Sequence, residues 1–141
     1  MKVTVIIERA SDGYFSCYVD DDGDALDFGL VGHGDTVESA RADLLQGYKE
    51  IKEMRTEEGK ETPDLEIEWK YDLESFFDYF NIINVTKLAE KAGINASQLR
   101  QYRNGLSKAS EKQYAKLREA IREIGQELLL SLIHISEPTR L

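Results

Sequence analysis

One stretch of the chain decides its fold, and it reads Val85-Thr86-Lys87-Leu88-Ala89-Glu90-Lys91-Ala92-Gly93-Ile94-Asn95-Ala96-Ser97-Gln98-Leu99-Arg100-Gln101-Tyr102-Arg103-Asn104-Gly105. The small side chain of Ala89 allows a second helix to cross close to the first. Gly93 accepts the left-handed conformation that turns a chain sharply. Apolar side chains at helical spacing then join the two helices; they are Leu88, Ile94, Leu99 and Tyr102. This spacing predicts a helix-turn-helix.

The second predicted helix has a polar outer face without an acidic residue. Arginine and glutamine pair with guanine and adenine edges in the major groove, and Lys87, Lys91 and Asn104 are placed to hold phosphates. The pattern also fits an ordinary helical hairpin with a glycine turn. Because the small residue, the glycine, the apolar contacts and the basic face coincide, we favour DNA binding. The predicted DNA-binding residues are Lys87, Ala96, Ser97, Arg100, Gln101, Arg103 and Asn104.

Charge divides the 141-residue chain into two unequal halves. Residues 1–71 carry 18 acidic and 8 basic side chains, a net charge of −10, whereas residues 72–141 carry 9 and 10, a net charge of +1. Within 86–122, nine Lys or Arg stand against three Glu. An acidic surface attracts a basic protein and repels nucleic acid, whereas a basic surface can bind phosphate groups. The acidic and the basic regions are also consistent with ordinary solvated surfaces. The uneven distribution of charge nevertheless favours two modules with different partners.

Residues 1–71 have the pattern of a small β-β-β-α-β domain. The strand-forming runs lie at 2–8, 14–19, 28–32 and 65–71. Asp35 and Glu38 have the spacing of a capping box, which predicts a helix that ends before Gly59. Its apolar positions are Val37, Ala40, Leu44, Leu45, Tyr48, Ile51 and Met54. One helix leaves part of a four-stranded sheet uncovered, so we expect self-association or a partner.

Residues 72–129 have a helical pattern throughout. A short helix is predicted at 73–80, and Asn84, Asn95 and Ser110 are placed as N-caps of further helices. The last helix is predicted to extend to about residue 129, with a buried stripe of Tyr114, Leu117, Ile121, Ile124 and Leu128. We therefore predict an α+β chain in which a β-β-β-α-β domain precedes an all-α helix-turn-helix domain.

Composition excludes several classes of function. The single Cys17 excludes an internal disulfide and a cysteine-based zinc site, and no apolar run reaches the roughly 18 residues that cross a bilayer. The first residues do not form a signal peptide, so we expect a cytoplasmic protein. Neither His33 nor His134 has the partners of a catalytic triad. We expect no enzymatic activity and no cofactor.

Other polar residues have ordinary structural explanations. Aspartates crowd one loop, but their spacing does not fit an EF-hand, so we predict a solvated turn and no metal site; they are Asp20, Asp21, Asp22, Asp24 and Asp27. A metal-dependent nuclease that uses them is the enzymatic alternative. His33 is expected in a surface loop and Cys17 in the core. Trp69 and Tyr71 are expected to pack beneath the long helix.

The two halves resemble known families. Residues 73–129 resemble the lambda-repressor-like (XRE-type) helix-turn-helix domain. The first half resembles the HicB antitoxin domain, with 14–19 as its second strand and Gly34-Asp35-Thr36-Val37-Glu38-Ser39-Ala40 as its helix entry. This resemblance implies a partial RNase H-like sheet that neutralises a small basic mRNA-cleaving toxin of the HicA type. It also implies a homodimer or higher homo-oligomer that binds operator DNA and represses its own operon.

Two further interpretations accompany this one. Residues 130–141 resemble the translation of a sequencing adapter, which implies a non-native tail and removes His134 from any site. The alternative to the antitoxin is a stand-alone helix-turn-helix transcriptional regulator, whose N-terminal domain dimerises or senses a ligand.

Overall fold

A computed structural model describes residues 1–20 and 26–136 of the chain. These residues form one five-stranded sheet and five helices, so the fold is mixed α and β, as predicted. The elements are β1 (Lys2–Arg9), β2 (Phe15–Val19), β3 (Val31–Gly34), α1 (Val37–Glu57), β4 (Glu66–Asp72), α2 (Glu74–Tyr79), α3 (Val85–Ala92), α4 (Ala96–Arg103), β5 (Ala109–Ser110) and α5 (Glu111–Ser136). The solvated turn predicted at Asp21, Asp22 and Asp24 lies outside the described residues.

The sheet has the strand order β3-β2-β1-β4-β5. Strand β1 pairs antiparallel with β2 and parallel with β4, with Ile7 opposite both Cys17 and Tyr71. The first two predicted strands and the fourth are therefore confirmed. The third lies at 31–34 instead of 28–32. The sheet places Val5, Ile7 and Cys17 on the face that helix α1 covers, where all three are buried.

Helix α1 begins one residue later than the predicted capping box. Its N-cap is Thr36, whose hydroxyl accepts a 3.0 Å hydrogen bond from the Ser39 amide, while Ser39 Oγ accepts one from the Thr36 amide. Asp35 instead accepts a hydrogen bond from the Ser39 hydroxyl. The predicted capping box of Asp35 and Glu38 is therefore wrong, because Thr36 takes the N-cap position and the Thr36 and Ser39 hydroxyl groups bind each other's amides.

The buried stripe of α1 is narrower than the sequence predicts. Ala40 and Leu44 are fully buried against β3, whereas Leu45 and Met54 are 46% and 54% exposed. The backbone of Gly32 lies so close to α1 that a Cβ there would meet the carbonyl oxygen of Ala40 and lie 2.7 Å from the Leu44 nitrogen. A glycine at this point lets the helix pack directly on the sheet.

The second half of the chain is not purely helical. Ala109 and Ser110 form β5, which pairs antiparallel with β4, so the helical half completes the sheet of the first half. Buried side chains of both halves form one continuous core. This strand could not be predicted from the sequence, because two residues are too few to show alternation.

A polar contact also joins the two halves. The Tyr71 hydroxyl donates a hydrogen bond to Glu111 at the start of α5, and Arg41 of α1 donates to both groups. The Tyr71 ring stacks on Tyr114 at a centroid distance of 3.7 Å, and Arg41 lies over Trp69. Trp69 and Tyr71 therefore face α1, as predicted, and Tyr71 also anchors α5.

Helix α5 packs on the body of the protein only through its first half. Leu117 and Ala120 are buried, but Leu128 is 61% exposed, so its predicted place in the buried stripe is wrong. The helix continues to Ser136, past the predicted end near residue 129. None of the helices within the described ranges has the length and apolar character that a membrane crossing requires.

Candidate nucleic-acid interface

Helices α3 and α4 are joined by the glycine turn that the sequence predicts. Gly93 ends α3 with a φ of 71°, the left-handed conformation that the sequence required of it. The Ile94 amide then donates a 3.0 Å hydrogen bond back to the Ala89 carbonyl, which closes the turn. Since a β-carbon is strained at this φ, the glycine determines the sharpness of the turn.

Both helices are capped and locked together as the sequence predicts. Asn84 accepts a hydrogen bond from the Lys87 amide, and Asn95 accepts from the amides of Ser97 and Gln98. The locking side chains are all buried; they are Leu88, Ala89, Ile94, Leu99 and Tyr102. The outer surface of α4 is therefore held at a fixed angle to α3.

The outer surface of α4 carries most of the predicted DNA-binding residues. Ser97, Arg100, Gln101 and Asn104 are exposed there, whereas Ala96 and Arg103 are half-buried. One guanidinium nitrogen of Arg100 lies 3.4 Å from the Ser97 hydroxyl, and the Arg103 Nε lies 3.3 Å from Asn104. These groups form a continuous surface of hydrogen-bond donors without a carboxylate, which fits contact with base edges and phosphates.

The two lysines of α3 differ in their surroundings. Lys91 lies 3.5 Å from Glu123 and 3.4 Å from Glu127 of helix α5. The charge of Glu127, followed by its hydrogen bond and the charge of Glu123, raises the pKa of Lys91. Two carboxylates thus compensate Lys91, which makes it a poor phosphate ligand. Among the described residues, Lys87 pairs only with the exposed Glu90, at 3.8 Å, so it remains available.

A second polar surface lies on the sheet face opposite α1. By strand alternation this face, called the acidic face, has four carboxylates and two lysines on β1 and β4, with Tyr18 on β2 beside them. The charged residues are Lys2, Glu8, Glu66, Glu68, Lys70 and Asp72. Burial raises the pKa of Tyr18, and the charges of Glu8, Asp72 and Asp20 raise it further. This face was not predicted, although the alternation of Glu66, Glu68 and Lys70 with apolar residues is a sequence signal for it.

The remaining candidate residues have structural roles. Cys17 is buried, and burial raises the pKa of its thiol to about 11, as suits a core residue. His33 is exposed but lies in β3, not in a loop, and its backbone amide donates a hydrogen bond to Asp43 of α1. In the portion of the chain that the structure describes, no three His, Cys, Asp or Glu side chains are grouped to hold a metal ion.

Comparison of the chain with models of protein families, with curated proteins and with solved structures gave no match. The resemblance to HicB antitoxins and to lambda-repressor-like domains therefore stays a prediction.

Proposed function

We propose that the chain is a non-enzymatic antitoxin, which binds a small basic toxin through its acidic half and operator DNA through α4. The observation that carries the proposal is the α3–Gly93–α4 geometry with Ser97, Arg100 and Gln101 exposed on one helix face. Helices of this arrangement enter the major groove, and their dimers contact half-sites about one helical turn, roughly 34 Å, apart.

The distribution of charge supports the proposal that the two halves of the chain bind different partners. Except for Asp72, the acidic face belongs to the half of the chain with a net charge of −10, whereas the window 86–122 around α3 and α4 has a net charge of +6. Since like charges repel, DNA favours the helical half. A basic protein favours the sheet, where Glu66 and Glu68 are exposed.

The DNA-binding part is tested with the purified full chain and DNA from upstream of its coding sequence, against scrambled DNA of equal length. Fluorescence anisotropy measures both affinities. Each good side-chain contact to a base contributes about 1–3 kcal/mol of discrimination, so R100A/Q101A should lose the preference for the upstream DNA. The matched control is R122A, because Arg122 also carries one positive charge but pairs with Glu119. Sequence preference retained by R100A/Q101A would contradict the assignment of α4.

The toxin-binding part is tested by co-expression with the product of the adjacent small reading frame. Growth rescue, suppressed RNA cleavage and co-purification are expected. Charge reversal at Glu66 and Glu68 should weaken co-purification, whereas reversal at the exposed Glu57 and Glu58 of the α1 end should not. If the product of the adjacent reading frame is harmless, or if the chain does not neutralise it, a stand-alone transcriptional regulator would describe the function of the chain better.

A further inference from the structure

One of the two edges of the sheet is protected by a side chain. Strand β3 forms this edge, and the backbone amide of His33 donates a 2.8 Å hydrogen bond to the carboxylate of Asp43 on α1. This amide therefore points away from β2, to the side where a further strand would have to pair. The Asp43 carboxylate occupies the amide and repels the carbonyl groups of an incoming strand, so the β3 edge does not accept one.

The opposite edge is covered over only part of its length. Strand β4 extends over Glu66–Asp72, but β5 pairs with it only at Lys70 and Tyr71. At Glu111 the chain leaves the sheet and enters α5, and among the described residues no other strand continues beside β4. Residues 66–69 therefore form an open edge, which is about 13 Å long at the usual rise of a strand.

The backbone of Ile67 is directed to this open edge. The Glu66 amide donates a 2.8 Å hydrogen bond to the Met1 carbonyl, on the side of β1. Because successive residues of a strand direct their amide and carbonyl groups to opposite sides, those of Ile67 point away from β1. No hydrogen bond within the described residues engages them. An added strand can therefore form hydrogen bonds with Ile67.

The charged side chains along the open edge are both carboxylates. Glu66 and Glu68 are exposed on the acidic face, and in the described part of the chain neither forms an ion pair. Lys2 lies beside Glu66 on β1, away from this edge, and Lys70 already lies opposite Ser110 of β5. Opposite charges on neighbouring strands are stabilising and like charges are destabilising. A basic strand therefore fits this edge, whereas the same edge of a second copy would place glutamate against glutamate.

We propose that a basic, extended segment of a partner protein adds to the open edge as a further strand, antiparallel to β4 as β5 is. Its lysine or arginine side chains lie opposite Glu66 and Glu68, and the residue between them pairs with the backbone of Ile67. Main-chain hydrogen bonds supply affinity in this mode of recognition, and alternate side chains supply specificity. The inference rests on the proposed function in one respect, namely that the partner is the basic toxin.

The first test is titration of the full chain with a labelled peptide of alternating lysine and valine, followed by fluorescence anisotropy. Two methylated forms of the peptide have the same charge. N-methylation of the valines removes the amides that face Ile67, whereas N-methylation of the lysines removes amides that face solvent. We expect the valine-methylated peptide to bind about tenfold more weakly than the lysine-methylated one. Equal binding of the two methylated peptides, or no binding of the unmodified peptide, would overturn the proposal.

The charges are tested with the same unmodified peptide. E66Q/E68Q should bind it about tenfold more weakly than the native chain and with a smaller dependence on salt. The matched control is E57Q/E58Q, which removes two exposed carboxylates at the end of α1 and should bind the peptide normally. Equal binding by the two double variants would show that the carboxylates of the open edge do not select the partner.

A backbone variant connects the open edge to the toxin. I67P removes an amide that faces the edge and leaves the pairing of β4 with β1 in place, as prolines of edge strands do. Co-purification with the product of the adjacent reading frame should fall in I67P, with circular dichroism as the check of folding. If that product is neutralised and co-purifies equally with I67P and the native chain, the inference is wrong and the proposed function stands. If it is not neutralised but the methylated peptides differ as expected, the proposed function is wrong and strand addition stands.

Discussion

The hydroxyl of Tyr71 donates a 2.9 Å hydrogen bond to Oε2 of Glu111, which connects the fourth strand to the first turn of the last helix. The bond spans the two halves of the chain, and Arg41 strengthens it by donating to both partners. Glu111 also lies at the positive end of the α5 dipole, where a carboxylate is favourable. This relationship joins the first turn of α5 to the sheet.

Removal of the Tyr71 hydroxyl should weaken the contact between β4 and the first turn of α5. Y71F keeps the stacked ring but loses hydrogen bonds to Arg41 and Glu111, so we expect the free energy of unfolding to fall by about 1 kcal/mol. Urea denaturation measures the change. The control is Y14F, because the Tyr14 side chain is 55% exposed and should contribute almost nothing. Equal stability of the two variants would show that the bond is unimportant.

Stability should fall at alkaline pH. Burial raises the folded-state pKa of Tyr71 and Tyr114, and it raises that of Cys17 to about 11. The unfolded groups ionise at about pH 8.5 for Cys and about pH 10 for Tyr. The unfolded state therefore loses protons first, and this contribution, fully present below about pH 8.5, is lost as pH rises towards the folded-state values.

The measurement is the urea midpoint of the native chain and of Y71F at a series of pH values from 7 to about 11. The midpoint should fall above about pH 8.5 and more steeply above about pH 10. Y71F should show the shallower decline, since it lacks one of the shifted groups. A steeper decline in Y71F would refute the assignment.

Substitution of two glycines by alanine should have opposite effects on stability. In G32A the new methyl group meets the α1 backbone at Ala40 and Leu44, so we expect a loss of about 2 kcal/mol or more. In G47A no described atom outside the neighbouring backbone of α1 lies within 4 Å of the added carbon. Alanine favours the helix interior, so a gain of about 0.5–1 kcal/mol is expected. Thermal unfolding of both variants checks the signs.

The lysines of α3 should contribute unequally to DNA binding. K87A should weaken binding and reduce the slope of log affinity against log salt by about 0.9, because one phosphate contact is lost. K91A should change the slope little, since Glu123 and Glu127 already compensate this charge. Anisotropy titrations at several salt concentrations distinguish the two. An equal loss in both variants would mean that the ion pairs of Lys91 open on binding.

Local signals predicted helices α3 and α4 and the turn between them well, because their determinants are close in sequence. The αL position of Gly93 and the caps at Asn84 and Asn95 depend on neighbours within a few residues, so the sequence contains them fully. The exposure of Ser97, Arg100 and Gln101 follows from the same helical period. Ala96 and Arg103 are half-buried, although the sequence predicted them on the outer face. Lys91 also differs, because its carboxylate partners lie on α5, far along the chain.

The long-range features could not be predicted in the same way. Strand β5 is too short for a pattern, and its pairing with β4 depends on where α5 packs. An apolar cavity lined by Ile7, Phe76 and Leu117 is likewise formed by segments of both halves. Leu128 has the spacing of a buried residue but extends past the body of the protein, since periodicity identifies a helix face without showing what covers it.

The contact between Tyr71 and Glu111 has a consequence for the chain during its synthesis. Tyr71 precedes Glu111 by 40 residues, which at about 5–20 residues per second amounts to roughly 2–8 s of translation. During that interval β4 has no β5 beside it, and Ile7, Phe15 and Tyr71 have no α5 to cover them. The nascent chain therefore carries an aggregation-prone sheet edge for seconds. The rate of translation determines how long aggregation at this edge can compete with folding.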